Sequence, residues 1–151
     1  MKRNKSTKSR RQIIPVWTYA QARSASPYLA SIMRSVRDHQ IDAHRHERAA
    51  KHLAKAPGRP DRKALIAFAD ATRESGRARD RLAEALDELH DLGIECFDPI
   101  QGIALVPFAN EKQLAWFVYD LFDNEPLRFW RLHNDPLDTR RPVETIKEES
   151  A

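Results

Sequence analysis

Four groups of side chains in this sequence could do chemistry, and each implies the element that must carry it. His39, Asp42 and His46 are spaced three and four apart, which places them on one side of a helix. Imidazole and carboxylate ligands on facing helices build the metal sites of helical bundles. Asp70 or Glu74 would lie across a hairpin from this group. The glutamate-x-x-histidine pattern of di-iron bundles is absent, however, and His44, His52 and several arginines crowd the same stretch. The expectation is a polar helix face with no cofactor. Arg128, Arg131, His133 and Arg140 form a second group near a sheet edge, where guanidinium groups can hold carboxylate or phosphate. Solvated strand-face charge is the plainer reading of these four. Cys96, beside Phe97, reads as a small buried hydrophobe rather than a nucleophile. No Gly-rich phosphate loop, paired-cysteine zinc motif or serine elbow appears, so the reading leans away from an enzyme.

The fourth group is a basic run. Lys2, Arg3, Lys5, Lys8, Arg10 and Arg11 stand in the first 12 residues without an acidic neighbour. Removing these six from the 26 basic side chains leaves 20 against 22 acidic ones, a net of −2 for the remainder. The run has almost no apolar surface to offset its ordering entropy, so residues 1–12 read as a disordered tail. Clustered Lys and Arg release counterions on binding, which makes the tail a candidate contact for RNA, a ribosome or an acidic protein. With no aromatic residue in it, such contact would lack base stacking and hence sequence preference.

Those groups sit in a chain of 151 residues, 41% of them hydrophobic, the size of one domain. No apolar stretch approaches the ~20 residues of a membrane span, and the basic start lacks the apolar core of a secretory signal. A single cysteine excludes an internal disulfide and suits a reducing cytoplasm. Charge is also divided within the body: residues 13–63 carry ten basic and four acidic side chains, and residues 64–151 carry ten and eighteen. Such a division favours placing the two parts side by side, although each exposed ion pair contributes only ~0–1 kcal/mol.

Spacing then predicts the elements. Ile13, Ile14, Val16 and Trp17 form a short apolar lead-in, followed by Thr18 as an N-cap. A helix follows, interrupted at Pro27, with Leu29, Ile32, Val36, Ala43, Ala50 and Leu53 on one stripe. Ala56-Pro57-Gly58-Arg59-Pro60 is a turn, Asp61 a cap, and a second helix runs to about Leu92 before Gly93. Its expected stripe is Leu65, Phe68, Thr72, Ser75, Arg79, Leu82, Leu86 and Leu89, polar in the middle and so in need of a further layer or subunit. From Ile94 the period becomes two, over Ile94–Phe97, Ile103–Val106, Leu114–Phe122 and Leu127–His133. The fold class is therefore α+β: a long antiparallel helical hairpin (18–92) on a small antiparallel β-sheet (94–133), in one domain over 13–143, with a frayed tail at 144–151.

The strand around Phe117 is apolar on both faces. Leu114, Trp116 and Val118 lie on one side, and Ala115, Phe117, Tyr119 and Leu121 on the other. One hairpin covers one face, so the other calls for the remaining helix, the C-terminal segment or a second subunit. A homodimer is the expectation, and the leading reading is a non-enzymatic interaction or assembly domain. Its basic tail would meet an anionic partner, and its sheet or helix face a protein. The alternatives are a small-anion-binding or enzymatic domain using Arg128, Arg131, His133 and Arg140, or an RNA- or ribosome-associated factor.

The order of these segments resembles an uncharacterised prokaryotic family, domain of unknown function twenty-two-oh-three. Family members carry Gly-Leu-Val-Asp-Phe-Pro on a strand, a hairpin ending in Trp-His, and a tail with Arg-x-Pro. The corresponding residues here are Gly102-Ile103-Ala104-Leu105-Val106-Pro107, Phe129-Trp130-Arg131, and Arg140-Arg141-Pro142 after Leu137. Val16-Trp17-Thr18-Tyr19 and Pro27-Tyr28-Leu29 match the start of the first helix, so the resemblance covers roughly residues 14–143. Leu105 replaces the family aspartate and Arg131 its histidine; Tyr119, Asp120 and Leu121 stand where Cys-Trp-Arg is usual. Asn134-Asp135-Pro136 replaces a glycine-rich stretch. The resemblance implies a shared framework in which the polar residues of any common site have changed, and it supplies no activity.

Overall fold

The computed structural model describes residues 15–146. Helix α1 (Tyr19–Ser24) opens on a capping box in which the Thr18 hydroxyl accepts from the Gln21 N–H and the Gln21 side chain accepts from the Thr18 N–H. Helix α2 (Ser26–Ala54) begins at once, with Pro27 in its first turn, where the missing N–H costs nothing. Asp61 caps α3 (Arg62–Asp91) by accepting from the Ala64 N–H. Gly93 takes φ +78° beyond its C-terminus, as expected for that position. The sheet is an antiparallel meander in the order β1 (Glu95–Asp98), β2 (Ile103–Asn110), β3 (Gln113–Asp120), β4 (Phe129–Leu132) and β5 (Arg141–Pro142). A 3₁₀ turn, Val143–Thr145, follows. The α+β hairpin-on-sheet architecture is as the periodicity predicts.

Strand β2 runs four residues past its predicted end. Pro107 is tolerated there because β1 has stopped: the Pro107 carbonyl accepts instead from the Trp17 N–H at 2.8 Å. Trp17 also donates through Nε1 to the Leu92 carbonyl at 3.1 Å, so it pins the start of the chain to both layers. Glu111 and Lys112 close the β2–β3 hairpin with φ of +51° and +68°, a two-residue turn of left-handed residues without the Asn-Gly that would announce it.

The main core lies between the hairpin and one sheet face. Leu29, Ile32, Met33 and Val36 of α2 and Ala85 and Leu89 of α3 meet Ala104, Val106, Phe108, Ala115, Phe117, Tyr119 and Trp130. The Phe117 ring stacks on Phe108 with centroids 4.0 Å apart and takes Tyr19 edge-on at 5.6 Å. The opposite sheet face corrects an expectation. Ile103, Leu105, Trp116 and Val118 are only 2–7% exposed in the single chain, with Leu114 and Phe129 packed against them. Burial of that face therefore requires no second subunit.

The helix seam differs from the predicted stripe in a second, more consequential way. The buried residues of α3 are Ala71, Ser75, Ala78, Ala85 and Leu89; Ser75 and Leu89 belong to the predicted stripe, and Ala71, Ala78 and Ala85 are buried in place of Thr72, Arg79 and Leu86. Small side chains allow two helices to approach closely, and Ala43 of α2 is likewise small and buried. Leu65, expected in the seam, is left outside it, and Phe68 lies at its edge beside Ala50 and Ala54 of α2. Phe117→Ala should cost ~3–5 kcal/mol in chemical denaturation, because the residue is fully buried against the Phe108 and Tyr19 rings; a loss under about 1 kcal/mol would contradict this core.

Candidate functional site

Only the proximal part of the hairpin touches the main core: Leu29 to Val36 of α2 and Ala85 to Leu89 of α3. At 1.5 Å per residue, α2 continues roughly 20 Å past Ile41 to Ala54. Around this free end the first turns of α3 carry Leu65, Ile66 and Phe68 at 56%, 51% and 39% exposure. Phe68 and Thr72 border an open groove with Glu47, Ala50, Lys51 and Ala54 of α2. Residues 48–63 hold Arg48, Lys51, Lys55, Arg59, Arg62 and Lys63 against Asp61 alone. Among the described residues none of these six basic groups is in an ion pair. Farther along, the helix charges are paired: Arg45 with Asp42, Arg73 with Asp70, Arg77 with Glu74, and Arg79 with Glu47 across the helices. The free end is thus an apolar cluster ringed by uncompensated positive charge.

A second feature is the end of the sheet beside α2. The β1–β2 and β3–β4 loops lie at this end because the strands are antiparallel. Arg37 joins them, donating from Nε to the Ile100 carbonyl at 2.9 Å while its guanidinium lies 5.1 Å from the centre of the Phe122 ring. Ile100 also closes a cleft with Ile41, His44 and Arg48 of α2. Gly102 must remain glycine here: at φ +74° a Cβ would stand 2.7 Å from Leu121 Cβ.

A third feature is a cleft of about 680 Å³ between α1, the start of α2 and the β3–β4 loop, lined by Tyr19, Arg23, Arg34, Tyr119, Asp123 and Glu125 among others. Arg23 and Arg34 have no ion-pair partner among the described residues. Burial raises the Tyr119 phenol above its ordinary range, and its hydroxyl donates to the Ser26 carbonyl at 3.4 Å. Nothing in the sequence singled out Arg23 or Arg34, because they stand on different helices eleven residues apart.

The residues picked out from sequence fall elsewhere. Arg128 is paired with Asp123 at 2.7 Å; the Glu125 N–H first, and then Arg128, hold the Asp123 carboxyl below its ordinary range. Arg131 is buried on the second sheet face, donating to the Leu132 and His133 carbonyls at 3.3 and 3.4 Å, with Nε unpartnered. His133 Nδ1 accepts from Trp116 Nε1 at 3.1 Å. Arg140 donates to carbonyls of its own loop, Leu137 and Thr139. The structure brings Arg131 and His133 together; Arg128 stands at the other end of β4, and Arg140 turns back on its loop. These four form no joint anion pocket. Among the described residues no three His, Cys, Asp or Glu side chains gather to hold a metal; His39, Asp42 and His46 form no such group, and Asp42 is engaged by Arg45 at 2.9 Å. Cys96 is half-buried, and burial pushes its thiol up to about 11, far from a nucleophile's range. Lys2, Arg3, Lys5, Lys8, Arg10 and Arg11 lie outside the described residues, as do Ile13 and Ile14.

The arginine that organises the C-terminal segment is Arg141. Its Nε and Nη2 both donate to the Asp135 carboxylate at 2.8 Å, holding that group at about 2, below the usual 3.8. A carboxylate depressed in the folded state adds stability that is present above about pH 4 and lost as pH falls toward about 2. Thermal unfolding from about pH 5 to about pH 2 should therefore show a steeper decline for the native chain than for Asp135→Asn; parallel declines would contradict the tie.

No curated protein and no solved structure matched the chain. No helix among the described residues is long and apolar enough to cross a membrane. A family model described as "Uncharacterized conserved protein (DUF2203)" matches residues 15–143, spanning the α1 start, both long helices and all five strands. The chain belongs to that family.

Proposed function

We propose that this chain is a docking and assembly domain, with the free end of its helical hairpin as the working surface. The observation that carries the reading is the exposure of Leu65, Ile66 and Phe68 together in the first turns of α3. Large apolar side chains grouped on a surface and ringed by polar groups mark contact sites, and aromatic anchors concentrate interface energy. The unpaired basic residues around them favour an oppositely charged partner, which raises association rate and selects orientation. The basic N-terminal run adds a further positive element, suited to an anionic partner. The reading places no chemistry at Cys96, whose thiol is held far from ionisation at neutral pH.

A photo-crosslinking residue at Leu65 should trap an adduct of defined mass in cells, whereas the same residue at exposed Glu84 of α3 should not. Equal yields at both positions, or none at Leu65, would refute the docking surface.

A second reading, binding of a small anionic ligand, is favoured by the cleft that Arg23 and Arg34 line without ion-pair partners. Two guanidinium groups lining one cleft, beside Asp123 and Glu125, suit a phosphate or carboxylate. If this holds, millimolar inorganic phosphate should raise the melting temperature of the native chain and leave that of Arg34→Ala unchanged; identical responses would exclude it.

A further inference from the structure

We infer that the outer face of α3 near its C-terminus is the docking surface for this chain's own basic run, Lys2 to Arg11. This goes beyond the docking reading above, whose surface lies at the opposite end of α3. Asp80, Glu84, Asp87 and Asp91 follow one another at spacings of four, three and four, which sets them in one row along the helix. All four are exposed, on the side turned away from the buried Ala78, Ala85 and Leu89. None of them is in an ion pair among the described residues. The charges nearby leave the row acidic. Arg77 is already paired with Glu74, and Arg81 alone faces a further carboxylate, Glu88, to which the Tyr28 hydroxyl donates. Arg34 and Arg37 of α2 are turned to the β3–β4 loop instead. The free carbonyls at the end of α3 add partial negative charge of their own.

A separate observation brings the run to this row. Pro15, the first described residue, packs on the end of α3: a Cβ at Gly93 would stand 3.0 Å from its ring. Trp17 fixes the same point by donating to the Leu92 carbonyl. The chain therefore enters the fold two residues beyond Asp91. Arg11 and Lys2 precede Pro15 by four and thirteen residues, reaches of up to about 13 and 43 Å. The row from Asp91 to Asp80 is roughly 16 Å long, so the six cations of the run can span it. The other unpaired charge on the hairpin, from Arg48 to Lys63, has the sign of the run and repels it. Tethering holds the run near α3 at an effective concentration of the order of millimolar, at which weak exposed pairs suffice. The contact is electrostatic, and an anionic partner of the run must displace it from α3.

Spin labelling of the full chain tests the contact. Ser6→Cys with Cys96→Ala places one label inside the run. The label should attenuate the backbone amide signals of residues 80–91 and spare those of 62–69. Glu84→Lys with Asp87→Lys reverses the row with residues that suit a helix C-terminus. That variant should weaken the attenuation at least about twofold, as should about 0.5 M salt, with circular dichroism unchanged. A heparin oligosaccharide, a polyanion that competes for the run, should do the same. Adding Lys8→Glu, Arg10→Glu and Arg11→Glu to the reversed row should restore the attenuation, which a damaged fold would not do. Attenuation that withstands the reversed row, salt and heparin is that of a tethered chain without docking and overturns the inference. Attenuation centred elsewhere, or no restoration, overturns it as well. The crosslink at Leu65 is read independently of these outcomes, so the docking reading stands or falls separately.

Discussion

The close approach of α2 and α3 along a seam of small residues governs the rest of the structure. Ala43 of α2 and Ala71, Ser75 and Ala78 of α3 are the buried residues in the distal part of the hairpin, and all four are small. The apolar bulk at the start of α3 is therefore displaced to the outside. Near the sheet the same two helices change character: Leu29, Ile32, Met33, Val36 and Leu89 are large and buried, and they fill the layer above Phe108 and Phe117. The hairpin is thus a rigid lever, anchored at one end by aromatic packing and extended at the other by close helix contact. Trp17, hydrogen-bonded to both Leu92 and Pro107, keeps the anchored end from rotating over the sheet.

Much of this architecture is legible in the residues themselves. The Thr18 and Asp61 caps, the turn around Gly58 and the change of period after Gly93 locate both helices and the start of the sheet, because each reflects a local backbone requirement. The seam was misplaced for a physical reason. A stripe drawn through the largest apolar residues assumes that size determines burial, whereas close helix packing selects alanine. The alanines at 71, 78 and 85 follow the same seven-residue repeat as the predicted stripe, and only packing decides between the two. The β2–β3 turn was missed because Glu111 and Lys112 adopt left-handed backbone without glycine or asparagine.

Candidate sites were harder to read than elements. Arg128, Arg131, His133 and Arg140 are close in sequence, yet alternation along β4 and the return of the following loop send them to different surroundings. Arg23 and Arg34 face one cleft only because α1 and α2 meet at Ser26. The need for a second subunit over the outer sheet face, which the remaining helix or the C-terminal segment could also cover, is an expectation from strand alternation alone. It fails because Trp116, Val118, Leu105 and Ile103 form a buried cluster of their own, with Trp116 tied to His133. The surface that remains unsatisfied is on the helices, where the sequence suggested a seam.

The proposed working surface requires Leu65 and Ile66 to stand outside the helix pair. Denaturant unfolding of Leu65→Ser with Ile66→Ser, extrapolated to low protein concentration, tests this directly. Exposed positions predict a change within about 0.5 kcal/mol per site. A loss of several kcal/mol, of the order of 2–5 for each truncated core residue, would place both side chains in the seam and contradict the proposed working surface.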